Sequence, residues 1–207
     1  MGGIEVKVPS TSLNDVKAVN RTLNPDWSER RLQDRIRPAL RVLFVGINPG
    51  VRSAITGHHF AGYSNRFWKL LSDSKLVPEP ITCEQDLRLP EWGIGLTNLI
   101  ARPSPGIADL SPAEYSDGWS TLARKIRRYH PKAVALVRVT LYRRILPLLA
   151  PSLAPGKTVI GPQPVKIHDS DLFVLPNPSG RNANFSYAEM LEAFVQLRRW
   201  ITTGTTE

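Results

Sequence analysis

The 207-residue chain has one cysteine, Cys83, and no second thiol with which to close a disulfide. That excludes an intramolecular disulfide framework and a zinc site built on cysteines. No apolar run is long enough to cross a bilayer, and the opening Met1-Gly2-Gly3-Ile4-Glu5 lacks the apolar centre of a signal peptide. The chain therefore reads as cytoplasmic, or nucleoid-associated in a bacterium, with no membrane contact. Acidic residues are in short supply. Asp and Glu number 18 against 27 Lys and Arg, leaving +9 at neutral pH and a sequence pI near 10.0. An imbalance of that sign suits a polyanionic partner, nucleic acid first. Neither a G-x-x-x-x-G-K-[ST] nor a complete G-x-G-x-x-G is present, so the common phosphate cradles are missing. No pair of carboxylates sits where the two-acid scheme of sugar hydrolases needs one.

What is present is an alternation of apolar strands with amphipathic helices. Leu40-Arg41-Val42-Leu43-Phe44-Val45 reads as a buried strand, Trp92 to Ile100 as a second, Ala133 to Val137 as a third and Leu172-Phe173-Val174-Leu175 as a fourth. Between them, Phe67, Leu70 and Leu71 fall at helical spacing. Ser111-Pro112-Ala113-Glu114 supplies an N-cap, a first-turn proline and a capping-box glutamate for a helix to about Tyr129. A helix is expected from Thr140 to about Leu149, and Ser186-Tyr187-Ala188-Glu189 caps a last one reaching Ile201. With no tight hairpin signal, the pattern predicts an α/β fold: a three-layer α/β/α sandwich with a central, mainly parallel sheet. One domain is expected over 39–201, after a polar, partly ordered extension over 1–38 and before a flexible tail over 202–207.

Two polar loops carry the chemistry. Gly46-Ile47-Asn48-Pro49-Gly50 follows the first strand, and Asn177-Pro178-Ser179-Gly180-Arg181-Asn182 follows the fourth. Loops leaving one edge of a parallel sheet can enclose a ligand between them. The Asn48 carboxamide is no strong base, but it can accept from a water and so orient it, or it can close a local Asx-turn. In Gly57-His58-His59-Phe60, Phe60 is either a stacking face for a base or core packing, and the adjacent histidines cannot readily converge on one metal ion. No metal and no cofactor are expected. In the second loop a flexible glycine precedes Arg181, which could enter a duplex as a wedge or remain a solvated charge. Arg52, Arg66, Arg102 and Lys166 are candidate phosphate contacts. Asp109, at a helix entrance, has an ordinary structural role there.

At these residues the chain resembles the mismatch-specific uracil/thymine-DNA glycosylase branch of the uracil-DNA glycosylase superfamily, over roughly Leu40 to Trp200. The motifs run in the family's order: Gly46-Ile47-Asn48-Pro49-Gly50, Gly57-His58-His59-Phe60, Asn65-Arg66-Phe67-Trp68, Gly93-Ile94-Gly95-Leu96-Thr97-Asn98 and Asn177-Pro178-Ser179-Gly180. The resemblance implies that Asn48 positions the attacking water and Phe60 stacks on the flipped base. It further implies that Ile47, Gly50, Ser53, His59, Asn98 and Asn177 surround the base, Ser53 near the methyl position of thymine. The loop carrying Ser179, Gly180, Arg181 and Asn182 is implied to penetrate the duplex. Three positions depart from the family: Asn177 stands where other branches use a histidine, Arg181 replaces an apolar wedge, and Arg138 replaces a glycine at the end of the third strand. Arg138 either reaches phosphate or disturbs the neighbouring loop.

The expected function is hydrolysis of the N-glycosidic bond of uracil, with thymine a poor substrate, flipped from G:U or G:T mismatches in double-stranded DNA by a monomeric enzyme. The alternatives are a non-catalytic DNA-damage binder of the same fold and a nucleotide-dependent enzyme on a similar sheet.

Overall fold

The computed structural model describes residues 26–153 and 160–203. Five strands form one sheet in the order β2-β1-β3-β5-β4: β1 is Val42–Gly46, β2 Ile94–Asn98, β3 Ala133–Val137, β4 Gly161–Ile167 and β5 Ser170–Leu175. All neighbours are parallel except β4 and β5. The helices are α1 (Val51–Thr56), α2 (Phe67–Asp73), α3 (Pro112–Tyr129), α4 (Val139–Leu149) and α5 (Tyr187–Thr203).

Strands β1 and β3 are buried along their whole length, as a sheet covered on both faces requires. Alternate residues divide between two cores. Val42, Phe44, Ala135, Val137, Phe173 and Leu175 pack with α2 and α5 on one side, while Leu43, Val45, Val134, Leu136, Leu172 and Val174 pack with α3 and α4 on the other. The expected three-layer α/β/α sandwich is the observed one. Both capping boxes form: Glu114 N donates to Ser111 Oγ while Ser111 N donates back to Glu114 Oε2 at 2.9 Å. Ser186 and Glu189 repeat the exchange on α5.

Several expectations need correction. A tight hairpin exists after all, with β4 returning antiparallel to β5 through His168-Asp169 and His168 at a φ of 52°. Its first strand, Gly-Pro-Gln-Pro-Val-Lys-Ile, carries two prolines and so has no strand-like pattern; such residues are tolerated because β4 is an edge. Strand β2 begins only at Ile94, since a 3₁₀ stretch over Cys83–Trp92 ends at Gly93 with φ 72°. The extension expected over 1–38 is not peripheral at its end, although residues 1–25 lie outside the described residues. Arg35 exchanges backbone bonds with Leu96 along the β2 edge, and its guanidinium is buried against Asp86 at 3.0 Å. The tail over 202–207 is helical through Thr203, with Thr202 and Thr203 hydroxyls donating to the carbonyls of Arg198 and Arg199; residues 204–207 lie outside the described residues. Among the described residues no helix is long and apolar enough to cross a membrane.

Candidate active site

Parallel strands all end on one side of the sheet, and the segments leaving β1, β2, β3 and β5 there enclose a cavity of about 780 Å³. Asn48, Asn98, Arg138 and Asn177 line it, one after each strand end or at it, together with Phe60 and Ser53. Among the described residues no Asp or Glu lines it, whereas Arg52, Arg138 and Arg181 do.

The orientation of Asn48 is fixed by where its amide nitrogen is spent. Nδ2 donates to Ser104 Oγ at 2.8 Å and to the carbonyls of Pro49 and Arg102 at 3.2 and 3.3 Å. Ser104 in turn donates its own proton to the Gly106 carbonyl at 2.6 Å, so its oxygen is left as an acceptor for Asn48. The carboxamide oxygen of Asn48 thus keeps its lone pairs for a donor in the cavity. Ser104 was not among the expected site residues. Its only sequence signal was its place in the loop after β2, on the same sheet edge.

Around that group stand an aromatic ring and two further amides. Phe60, at a φ of 52°, lies with its ring stacked on Phe67 at 4.0 Å. Gly46 faces Asn98 across the β1–β2 pairing. A Cβ there would stand 2.5 Å from Asn98 Oδ1, so a side chain at this position would oblige the amide to turn aside. Within the described residues the Asn98 carboxamide has no hydrogen-bond partner in the protein and is half-buried at the cavity wall. Asn177 Oδ1 accepts from Ser179 N at 3.3 Å, which leaves its Nδ2 hydrogens for the cavity. The Ser53 hydroxyl is buried and accepts from Ala61 N at 3.1 Å, tying α1 to the Phe60 turn.

His59 also lines the cavity, but it is a structural histidine: 1% exposed, with Nε2 3.0 Å from the Gln33 carbonyl. Burial pushes its pKa down to about 4, so the ring is neutral and donates that bond. His58 and the His59 backbone N–H instead meet the carboxylate of Asp86.

The second loop is held against the segment before α2. Arg66 N donates to Pro178 O and Gly180 N to Ser64 O, both at 2.8 Å, with an antiparallel bridge between Asn65 and Ser179. A Cβ on Gly180 would lie 2.5 Å from Ser64 O, so this glycine serves close approach rather than the flexibility expected of it. Gly180 and Asn182 do not line the cavity; Asn182 Nδ2 donates to the Asn177 carbonyl at 2.8 Å and closes the turn. Arg181 is exposed at the cavity rim. Tyr63, which also lines the cavity, is 89% exposed with the Arg52 guanidinium 3.6 Å from its ring centre, an aromatic that no sequence motif singled out.

Two of the candidate phosphate contacts are spent elsewhere. Arg102 pairs with Glu114 at 2.7 Å and holds that carboxyl down at about 2, and Lys166 pairs with Asp171 at 2.8 Å. Asp109 caps its own turn by accepting from Gly106 N, away from the cavity lining.

The class that fold and cavity define is a mainly parallel α/β sandwich with a cavity at its strand ends, lined by amides and arginines and, among the described residues, by no carboxylate. Comparison with known proteins fixes the family: residues 33–199 match the model of the uracil DNA glycosylase superfamily, and the chain belongs to it. A G/U mismatch-specific uracil DNA glycosylase of Schizosaccharomyces pombe is 40% identical over 147 residues, which are 70% of this chain and 45% of that relative. The chain thus matches less than half of that curated protein's length. The solution NMR structure of a uracil DNA glycosylase candidate from Methanosarcina acetivorans superposes with a TM-score of 0.54 at 18% identity, covering 83% of this chain and 97% of the other. That likeness supports the fold.

Proposed function

We propose that this chain is a monofunctional DNA glycosylase that hydrolyses the N-glycosidic bond of uracil, and weakly of thymine, flipped out of G:U or G:T mismatches. It acts as a monomer on double-stranded DNA, in the cytoplasm or on the nucleoid, and leaves an abasic site. The observation that carries this reading is the fixed Asn48 carboxamide, its nitrogen spent on three protein oxygens and its oxygen left over in the cavity. The relative named for G/U mismatches supports the substrate.

In this reading Asn48 Oδ1 accepts a hydrogen bond from the attacking water and aims its oxygen at the sugar's anomeric carbon. As the bond to the base breaks, positive charge grows on the sugar and negative charge on the uracil. The Asn177 Nδ2 and Asn98 amides offer donors for that anion, a class of effect worth about 3–4 kcal/mol per donor. Among the described residues no carboxylate lines the cavity to pull the proton from water, so turnover is slow. Extrusion costs least at a mismatch, which makes selection begin before the chemistry.

The test is uracil release from a G:U duplex at enzyme excess, read as strand breaks after alkali. Asn48→Ala is expected to lower the single-turnover rate about a hundredfold or more while leaving duplex affinity within about twofold. Parental rates in that variant would overturn the role of Asn48. An absence of breaks with the unaltered protein would instead favour a damage binder.

A further inference from the structure

The end of β3 carries a residue that the proposed chemistry has not used. Arg138 has φ 130° and ψ 130°, a region left almost entirely to glycine, and its backbone N–H is pinned between the carbonyls of Leu136 and Leu175, both at 3.1 Å. The loop after β5 is nevertheless intact, with its Asx-turn and its bonds to Ser64 and Arg66 in place. Arg138 does not disturb it. The side chain is half-buried and lines the cavity with Asn48 and Asn177.

Unlike Arg35, Arg88 and Arg102, it has no carboxylate partner among the described residues. Burial lowers its pKa, opposed among the described residues by the phenol of Tyr115. A guanidinium in such a place gives up solvation without recovering it from the protein, so the missing partner belongs to what the cavity receives. The base itself is neutral on entry and suits the amides. The strand that carries it brings an oxyanion whose geometry fits a guanidinium fork.

We propose that Arg138 is the anion-binding residue of the cavity and holds a phosphodiester oxygen flanking the flipped nucleotide. This rests on the glycosylase reading for its ligand, and the test keeps the two apart. Binding is measured to a duplex carrying a tetrahydrofuran abasic analogue opposite guanine, with either flanking phosphate left native or replaced by a neutral methylphosphonate. For the unaltered protein, one replacement is expected to weaken binding about tenfold or more. Arg138→Gly should lose a similar factor on the native backbone and nothing further on that methylphosphonate. Losses that multiply as independent effects, or an Arg138→Gly variant with full affinity, overturn the assignment.

Arg138→Gly is expected to melt higher than the parent, because glycine relieves the strained φ; should it not fold, Arg138→Gln carries the same cycle. A second arm compares single-turnover release of uracil and fluorouracil. If Arg138→Gly slows only uracil, the poorer leaving group, at unchanged affinity, the cation serves the departing base and the phosphate assignment falls. Failure of the unaltered protein to release any base, with the methylphosphonate coupling intact, sinks the enzyme reading alone.

Discussion

At the scale of single residues, the site depends on which atom of each amide is already occupied. Ser104 hands its proton to Gly106 and therefore can only accept from Asn48. Ser104→Ala removes that constraint and frees the carboxamide to turn. It is expected to slow uracil release about tenfold or more in single-turnover assays, with duplex affinity unchanged. Gly46→Ala would thrust a methyl against Asn98 Oδ1 and should act by the same readout.

The importance of Asn48 was legible in the sequence because it follows a buried strand in a Gly/Pro loop. Its orientation was not, since the deciding partner lies 56 residues along the chain. His59 shows the opposite case: two adjacent histidines drew attention to ligand binding, while burial among backbone groups made one of them a neutral strut.

That strut has a pH signature. His59 has a pKa of about 4 in the fold against 6.5 ordinarily, so below 6.5 the unfolded chain takes up a proton that the folded one refuses. The stability this protects is fully present above pH 6.5 and is lost as pH falls towards 4, a loss of about 3 kcal/mol. Melting temperature measured between pH 6.5 and 4.5, above the range of the depressed carboxylates, should fall more steeply in the parent than in His59→Phe.

At the scale of elements, strands and capped helices were readable because burial and capping are local. Continuous apolar runs marked β1 and β3, and Ser-x-x-Glu marked the starts of α3 and α5. What escaped was held by distant partners or by residues that deny a pattern. The β4 edge is punctuated by prolines, and the Arg35 strand addition depends on a carboxylate in the 3₁₀ stretch. Asp86 is fully buried and receives Arg35, His58 and the His59 backbone, joining the entering chain, the β2 edge and the turn before Phe60. Asp86→Ala strands a buried guanidinium and is expected to cost about 3–5 kcal/mol in urea unfolding.

At the scale of the whole molecule, the +9 charge acts on association more than on the fold. Each phosphate neutralised steepens the dependence of log affinity on log salt by about 0.9. Arg181→Ala should leave that slope unchanged and weaken binding to the mismatch or product more than to matched duplex, because the expected role is insertion. A slope shallower by about one would make Arg181 a phosphate contact.

The bonds that fasten Pro178 and Gly180 to their neighbours across the cavity rim also bear on searching. Their ordering entropy was spent once, when the chain folded, and is not charged again at each encounter. On the proposed glycosylase reading, a loop that arrives already held in place samples one base pair after another without a disorder-to-order step, so its dwell at an intact pair is set by the stack it meets and not by its own settling.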